Sequence, residues 1–179
     1  KANSSKQSIE AGIGMVHQHF MLVDNFTVLE NVVLGSEGGA LIAESLSSAR
    51  VELTRLAKEY GLEVELDVAV EELSVGMQQR VEILKGLYKG AKVLILDEPT
   101  GVLTPQESDE LFRIFEALKK QGVTIILITH KLREIMSITD HVSVMRAGKM
   151  VAHRETSKTN PEELAELMIG RKVLLNIQK

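Results

Sequence analysis

The sequence predicts an α/β domain built on a mostly parallel sheet with a helical insertion, and three observations carry the prediction. Two short apolar stretches, KVLILD at 92–97 and the run Val123–Thr129, read as buried strands, the first covered on both faces. Around them lie segments whose apolar residues recur every three or four positions, so strands alternate with helices, the pattern of a parallel sheet. Residues 36 to about 90 read as a mainly helical insertion. With 179 residues, 44% apolar and 26% charged, the chain has material for one sizeable core.

The elements can be justified in order. The opening KANSSKQSIE begins on Lys1 and has no apolar centre, so it is not a signal peptide, and the chain is expected to begin inside a longer gene product. GIGMVH (12–17) is a buried strand, and Thr27 with Glu30 is a capping box that opens a short helix through Leu34. GSEGG (35–39) is a loop by composition. Leu46, Ala49, Leu53, Leu56 and Tyr60 form one helical face that stops at Gly61, and Ser74 caps a second helix running to Gly90. After the strand at 92–97, Thr104, Pro105 and Glu107 supply an N-cap, a first-turn proline and a capping carboxylate. The helix they start buries Leu111, Phe112, Ile114, Phe115 and Leu118 and ends at Gly122. Val123–Thr129 is the next buried strand and His141–Met145 another. Ala147-Gly148 turns the chain into 150–153, and Asn160, Pro161 and Glu163 open a last helix ending near Gly170. The division expected is a sheet core at 1–35 and 91–179 around a helical part at 36–90.

Composition removes several function classes. A net charge of -4 with no basic face argues against a nucleic-acid partner. The absence of cysteine excludes disulfides, thiolate metal sites and a cysteine nucleophile. The longest apolar runs fall far short of the roughly 20 residues that span a bilayer. Met15, Met77, Met136, Met145 and Met168 read as packing residues rather than ligands.

Four features carry chemistry. In VLILDEPT (93–100) a strand delivers Asp97 and Glu98 to its C-terminal end, the edge at which open α/β sheets bind ligands. Asp97 is suited to hold magnesium directly or through water, and Glu98 to point at a water attacking a terminal phosphate. The alternative is two acids that merely end a strand. In LSVGMQQR (73–80), Ser74 and Gly76 precede a helix whose unpaired N–H groups attract anions, although an ordinary N-cap would look the same. His130 ends the strand TIILITH, where an imidazole can hydrogen-bond a phosphate and orient water. Gln18 follows the strand IGMVH, and its amide can bond metal-bound water without adding charge.

The order Gln18, LSVGMQQR, LILDEPT, His130 resembles the Q-loop, signature motif, Walker B strand and switch histidine of ATP-binding-cassette ATPases, which have a P-loop NTPase type of sheet. The resemblance covers residues 12 to about 170. The wording of MVHQHFMLV, LSVGMQQRVEILKGLY and DEPTGVLTPQE is most like the ATPases of bacterial simple-sugar and nucleoside importers. It implies ATP and magnesium as cofactors, with Glu98, His130 and Gln18 as catalytic residues and Asp97 and Gln18 toward the metal. Ser74, Val75, Gly76 and Met77 would contact the nucleotide of a second ATPase domain in a head-to-tail dimer. It further implies permease subunits as partners, a solute-binding protein indirectly, and a place on the cytoplasmic face of the cell membrane. Val75 and Met77 depart from the usual LSGGQ, and Thr104 stands where an aspartate is common.

No G-x-x-x-x-G-K-[ST] occurs in the chain; Gly86–Lys92 has glycines and lysines in the wrong order, running from helix into strand. In the family the P-loop precedes the Q-loop, and its strand lies between the one ending at His130 and the one at His141–Met145. The sequence is expected to begin too late to include it. The fragment should therefore close that slot by rearrangement, fill it from a neighbour, or derive from a longer molecule. Alternatives for function are a non-enzymatic binding or assembly fragment, and a soluble cassette protein not tied to transport.

Overall fold

The structure, a computed structural model, describes residues 4–34 and 42–170, with side chains in the second stretch from residue 46 onward. The expected GSEGG loop lies outside the described residues. The chain divides into two compact units, Lys1–Ile128 and Thr129–Lys179.

The first unit holds a short helix α1 (Ser5–Glu10) that the sequence reading did not include, capped by Ser4, whose hydroxyl accepts the Gln7 N–H. Strand β1 (Ile13–Val16) follows, then α2 (Val28–Val33), opened by the expected capping box of Thr27 and Glu30. The helical stretch consists of α3 (Ile42–Tyr60), a 3-10 turn at Val70–Glu72 and α4 (Val75–Tyr88). Strand β2 (Val93–Asp97), helix α5 (Pro105–Lys120) and strand β3 (Thr124–Ile128) complete the unit.

The three strands form one parallel sheet in the order β1-β2-β3, with Val16 opposite Leu96 and Asp97 opposite Ile128. Side chains alternate between faces with period two. One row, Gly14, Leu94 and Ile125, and the next, Val16, Leu96 and Leu127, lie on the covered face, where Leu94 and Leu96 are fully buried. Helix α4 packs here because Gly14 and Gly86 leave room: a Cβ on Gly14 would stand 3.1 Å from the Leu94 side chain, and one on Gly86 3.0 Å from it.

The opposite row corrects the expectation of buried strands. Met15, Ile95 and Ile126 are in register, and Met15 and Ile126 are 44% and 48% exposed. Ile128 is likewise exposed. An apolar run records a preference for burial on both faces; it does not supply the layer that covers the second one. Strand β3 has β2 as its neighbour among the described strands.

The second unit contains a helix absent from the sequence reading, α6 (Leu132–Ile138), then β4 (His141–Arg146), β5 (Lys149–Glu155), a 3-10 turn at Thr156–Lys158 and α7 (Pro161–Ile169). Strands β4 and β5 make an antiparallel hairpin through the expected Ala147-Gly148 turn, where both residues have positive φ. The apolar faces of α6, β4 and α7 meet in a core of Ile135, Val142, Val144 and Leu164, with Met136 and Met168 packed against it. Met145, expected as a packing residue like Met15, is exposed. Asn160 caps α7 as predicted, accepting the Glu163 N–H at 2.8 Å.

Candidate functional site

Parallel pairing places the ends of β1 and β2 at one edge of the sheet. Val16 stands beside Leu96, so Gln18, two residues beyond Val16, and Asp97-Glu98, just beyond Leu96, leave the sheet at its C-terminal side together. Gln18 is exposed; Asp97 and Glu98 are half-buried. The Glu98 N–H donates to the Ile128 carbonyl at 2.9 Å, extending the β2–β3 ladder by one residue. Its φ of 46° lies in the left-handed region, which costs a non-glycine residue on the order of 1–3 kcal/mol. The chain turns there, and the Gly101 N–H closes the turn on the Glu98 carbonyl at 3.0 Å. Glu98 is thus fixed in a strained backbone at the rim, beside a ladder that cannot slide without losing its hydrogen bonds.

The segment after Gln18 is pinned by residues that the sequence reading missed. Fully buried Asn31 on α2 accepts the Val23 N–H at 2.7 Å and donates to the carbonyls of Val23, Phe26 and Thr27. From α4, buried Glu82 accepts the Met21 N–H at 2.8 Å and Lys85 donates to the Met21 carbonyl at 2.8 Å. Residues 21–27 therefore run across α2 and α4 with their backbone groups met by side chains. The signal in the sequence was faint: a glutamate and a lysine one turn apart, Glu82 and Lys85, which read equally well as a solvated helix surface.

Ser74, Val75, Gly76 and Met77 form a second cluster, at the start of α4. The Ser74 hydroxyl accepts the Met77 N–H at 3.4 Å, and its carbonyl accepts the Gln78 N–H at 2.9 Å. The N-cap reading and the anion-site reading thus fall on the same groups. A cavity of about 50 Å³ opens here, lined by Ser74, Gly76, Gln79, Arg80, Glu107 and Glu110 among others. Arg80 pairs with Glu110 at 2.5 Å, while the Nε2 of Gln79, a residue 2% exposed, has no hydrogen-bond partner among the described residues. Glu107 lies below the usual carboxylate range because the Thr104 N–H and hydroxyl donate to it, with the Gly76 N–H adding to the same effect.

His130 belongs to the second unit and is exposed. Its surroundings are braced by Glu134, a buried residue not singled out beforehand. The Thr129 hydroxyl donates to Glu134 at 2.9 Å and in turn accepts the Lys131 N–H at 3.1 Å.

Among the described residues no three His, Cys, Asp or Glu side chains cluster as a cage, and magnesium is ordinarily held by one or two carboxylates together with phosphate and water. No described helix is long and apolar enough to cross a membrane.

Comparison with known proteins gives these geometries a context. The sequence model of the ABC transporter family matches residues 1–101. The nucleoside import ATP-binding protein NupA of Lactococcus lactis subsp. cremoris is 51% identical over 177 residues, covering 99% of this chain and 35% of that protein. A glucose import ATP-binding protein of Haloferax volcanii is 43% identical, covering 100% of this chain and 38% of that one. The chain thus spans little more than a third of the curated relatives it matches. A solved nucleotide-free ATP-binding cassette from an ABC transporter superposes with a TM-score of 0.73 at 24% identity, covering 92% of this chain and 71% of that one, and establishes the α/β cassette fold. The chain belongs to the ABC transporter family.

Proposed function

We propose that this chain is part of the ATP-binding and hydrolysing subunit of an importer for nucleosides or simple sugars. The observation that carries the reading is the parallel pairing of Val16 with Leu96, beyond which Gln18 and the pair Asp97-Glu98 follow on the C-terminal side of the sheet. Its support is the identity to import ATP-binding proteins over nearly the whole chain. Residues 1–35 and 91–179 would form the sheet core of one cassette domain, and 36–90 its helical part.

In this reading Asp97 and Gln18 would hold magnesium. The bound ion supplies charge neutralisation for the phosphates. Glu98, held in place by its turn, would accept a proton from a water aligned with the terminal phosphate, and the family resemblance assigns His130 the role of a hydrogen-bond donor to phosphate. Ser74, Val75, Gly76 and Met77 meet the nucleotide of a second cassette in a head-to-tail dimer. The segment after Gln18 and the helical part, roughly Gln18 to Gly90, would transmit closure to permease subunits at the cytoplasmic face of the membrane. A solute-binding protein would take part indirectly.

Full-length protein carrying Glu98→Gln should bind ATP, dimerise on it and hydrolyse it at least 100-fold more slowly, the range expected for loss of a general base. Unimpaired hydrolysis in that variant would remove Glu98 from the chemistry. The chain itself holds no G-x-x-x-x-G-K-[ST] motif, and this favours a second reading for the chain on its own, binding or assembly without turnover. Magnesium-dependent binding of a fluorescent ATP analogue to the isolated chain would contradict it.

A further inference from the structure

We propose that Glu107 is a positioning residue that ties the start of α4 to the loop following Glu98, and that residue 76 is glycine because this carboxylate lies against it. The inference deepens the proposed function, since it concerns the cluster suggested there to meet a nucleotide.

The two oxygens of Glu107 face different partners. Oε2 accepts the Thr104 N–H at 2.9 Å and the Thr104 hydroxyl at 2.8 Å, which is the capping box of α5 and fixes the side chain. Oε1 is left on the side of α4. A Cβ built on Gly76 would stand 2.9 Å from Oε1, 3.2 Å from Cδ and 3.3 Å from Cγ, closer than a side-chain carbon tolerates. Gly76 is the second residue of α4, so the carboxylate sits against the unpaired N–H groups of one helix while capping another. One negative charge thereby serves two helix N-termini. An exposed flexible glutamate could swing away from an added methyl group; this one is held by Thr104.

The tie has a short path to Glu98. Between Glu98 and Thr104 the chain makes two tight turns, Gly101 N–H to the Glu98 carbonyl at 3.0 Å and Leu103 N–H to the Thr100 carbonyl at 3.3 Å, with Thr100 buried. Moving Glu98 therefore moves Thr104, and through Glu107 it moves Gly76. The same contact separates two neighbours in LSVGM: Val75 is 40% exposed and has room for its side chain, whereas a side chain at 76 would meet Glu107.

Two measurements on the full chain test this without nucleotide. In ¹⁵N–¹H spectra, the Gly76 and Thr104 amides should shift together on acidification, with a midpoint below the ordinary glutamate value of 4.5, and the Gly76 transition should vanish in Glu107→Gln. A Gly76 amide without that transition, or one that keeps it in Glu107→Gln, overturns the proposal. In thermal unfolding, Gly76→Ala should lower the Tm of the parent chain and raise it in a Glu107→Ala background, where only the helix preference for alanine remains. The same sign in both backgrounds also overturns it. Neither readout depends on ATP, so failure here leaves the role of Glu98 standing, and normal hydrolysis by the Glu98→Gln protein leaves this contact standing.

Discussion

Asn31 offers the sharpest test of how the segment after Gln18 is held. Its side chain is fully buried and makes four hydrogen bonds, one accepted from the Val23 N–H and three donated to carbonyls. In Asn31→Ala these four do not count equally. The Phe26 carbonyl keeps the Val70 N–H, the Thr27 carbonyl keeps the Asn31 N–H and the Val23 carbonyl keeps the Phe26 N–H, so the Val23 N–H alone loses its side-chain acceptor outright. An unmet buried donor costs about 1–3 kcal/mol, and the other lost bonds add about 1 kcal/mol in net terms. The expected loss is about 2–4 kcal/mol, read as a lowered urea midpoint at unchanged m-value. Asn31→Asp separates hydrogen bonding from shape. It keeps the acceptor for Val23 but turns a negative oxygen toward three carbonyls, so its folded-state pKa is raised above the unfolded value. A raised acid pKa gives stability that is present at low pH and lost as pH climbs from the unfolded to the folded pKa, so this variant should be weakest near neutrality and recover on acidification. An Asn31→Ala midpoint equal to the parent's, or an Asn31→Asp variant indifferent to pH, would refute the reasoning.

Other perturbations follow from the same structure. Leu94→Ala removes a fully buried side chain that touches Gly14 and Gly86, and should cost about 2–5 kcal/mol in chemical denaturation. Leu164→Ala, in the core of the second unit, should cost a similar amount, about 2–5 kcal/mol, visible as loss of amide-exchange protection in β4 and α7. Thr27→Ala breaks the capping box of α2 and should cost about 1 kcal/mol, with Thr27→Ser retaining most of it. Acid sensitivity should come from carboxylates whose pKa is lowered in the folded state. They include Glu30 through the Thr27 N–H and hydroxyl, Glu107 through the same groups of Thr104, Glu163 through Thr159 and Arg154, and Asp67 through Arg50. Their contribution is complete above the unfolded values and disappears as pH falls through the lower folded ones. An acid titration followed by circular dichroism should show stability flat above about pH 5 and falling below it, and Glu30→Gln should flatten part of that fall.

Helix starts with a side-chain cap are legible in the residues alone, because those signals are local. Thr27 with Glu30, Thr104 with Pro105 and Glu107, and Asn160 with Pro161 satisfy the first N–H groups of their own helices, and all three caps are present as read. The two strands that flank the acid pair were equally legible, since runs of branched apolar residues too short for a helix have few other conformations. Helices α1 and α6 were passed over because each is short, six and seven residues, and neither carries the apolar repeat of a long amphipathic helix. Only the tertiary structure decided which strand faces stand covered, since VLILD and TIILI look alike in sequence while Leu96 is buried and Ile126 is exposed. It alone showed Asn31 and Glu82 holding residues 21–27, and Glu107 lying against Gly76, since these partners are 8, 61 and 31 positions apart in the chain or come from different helices. A cap is written in neighbouring residues, whereas a contact between elements exists only once the sheet has fixed where each helix lies.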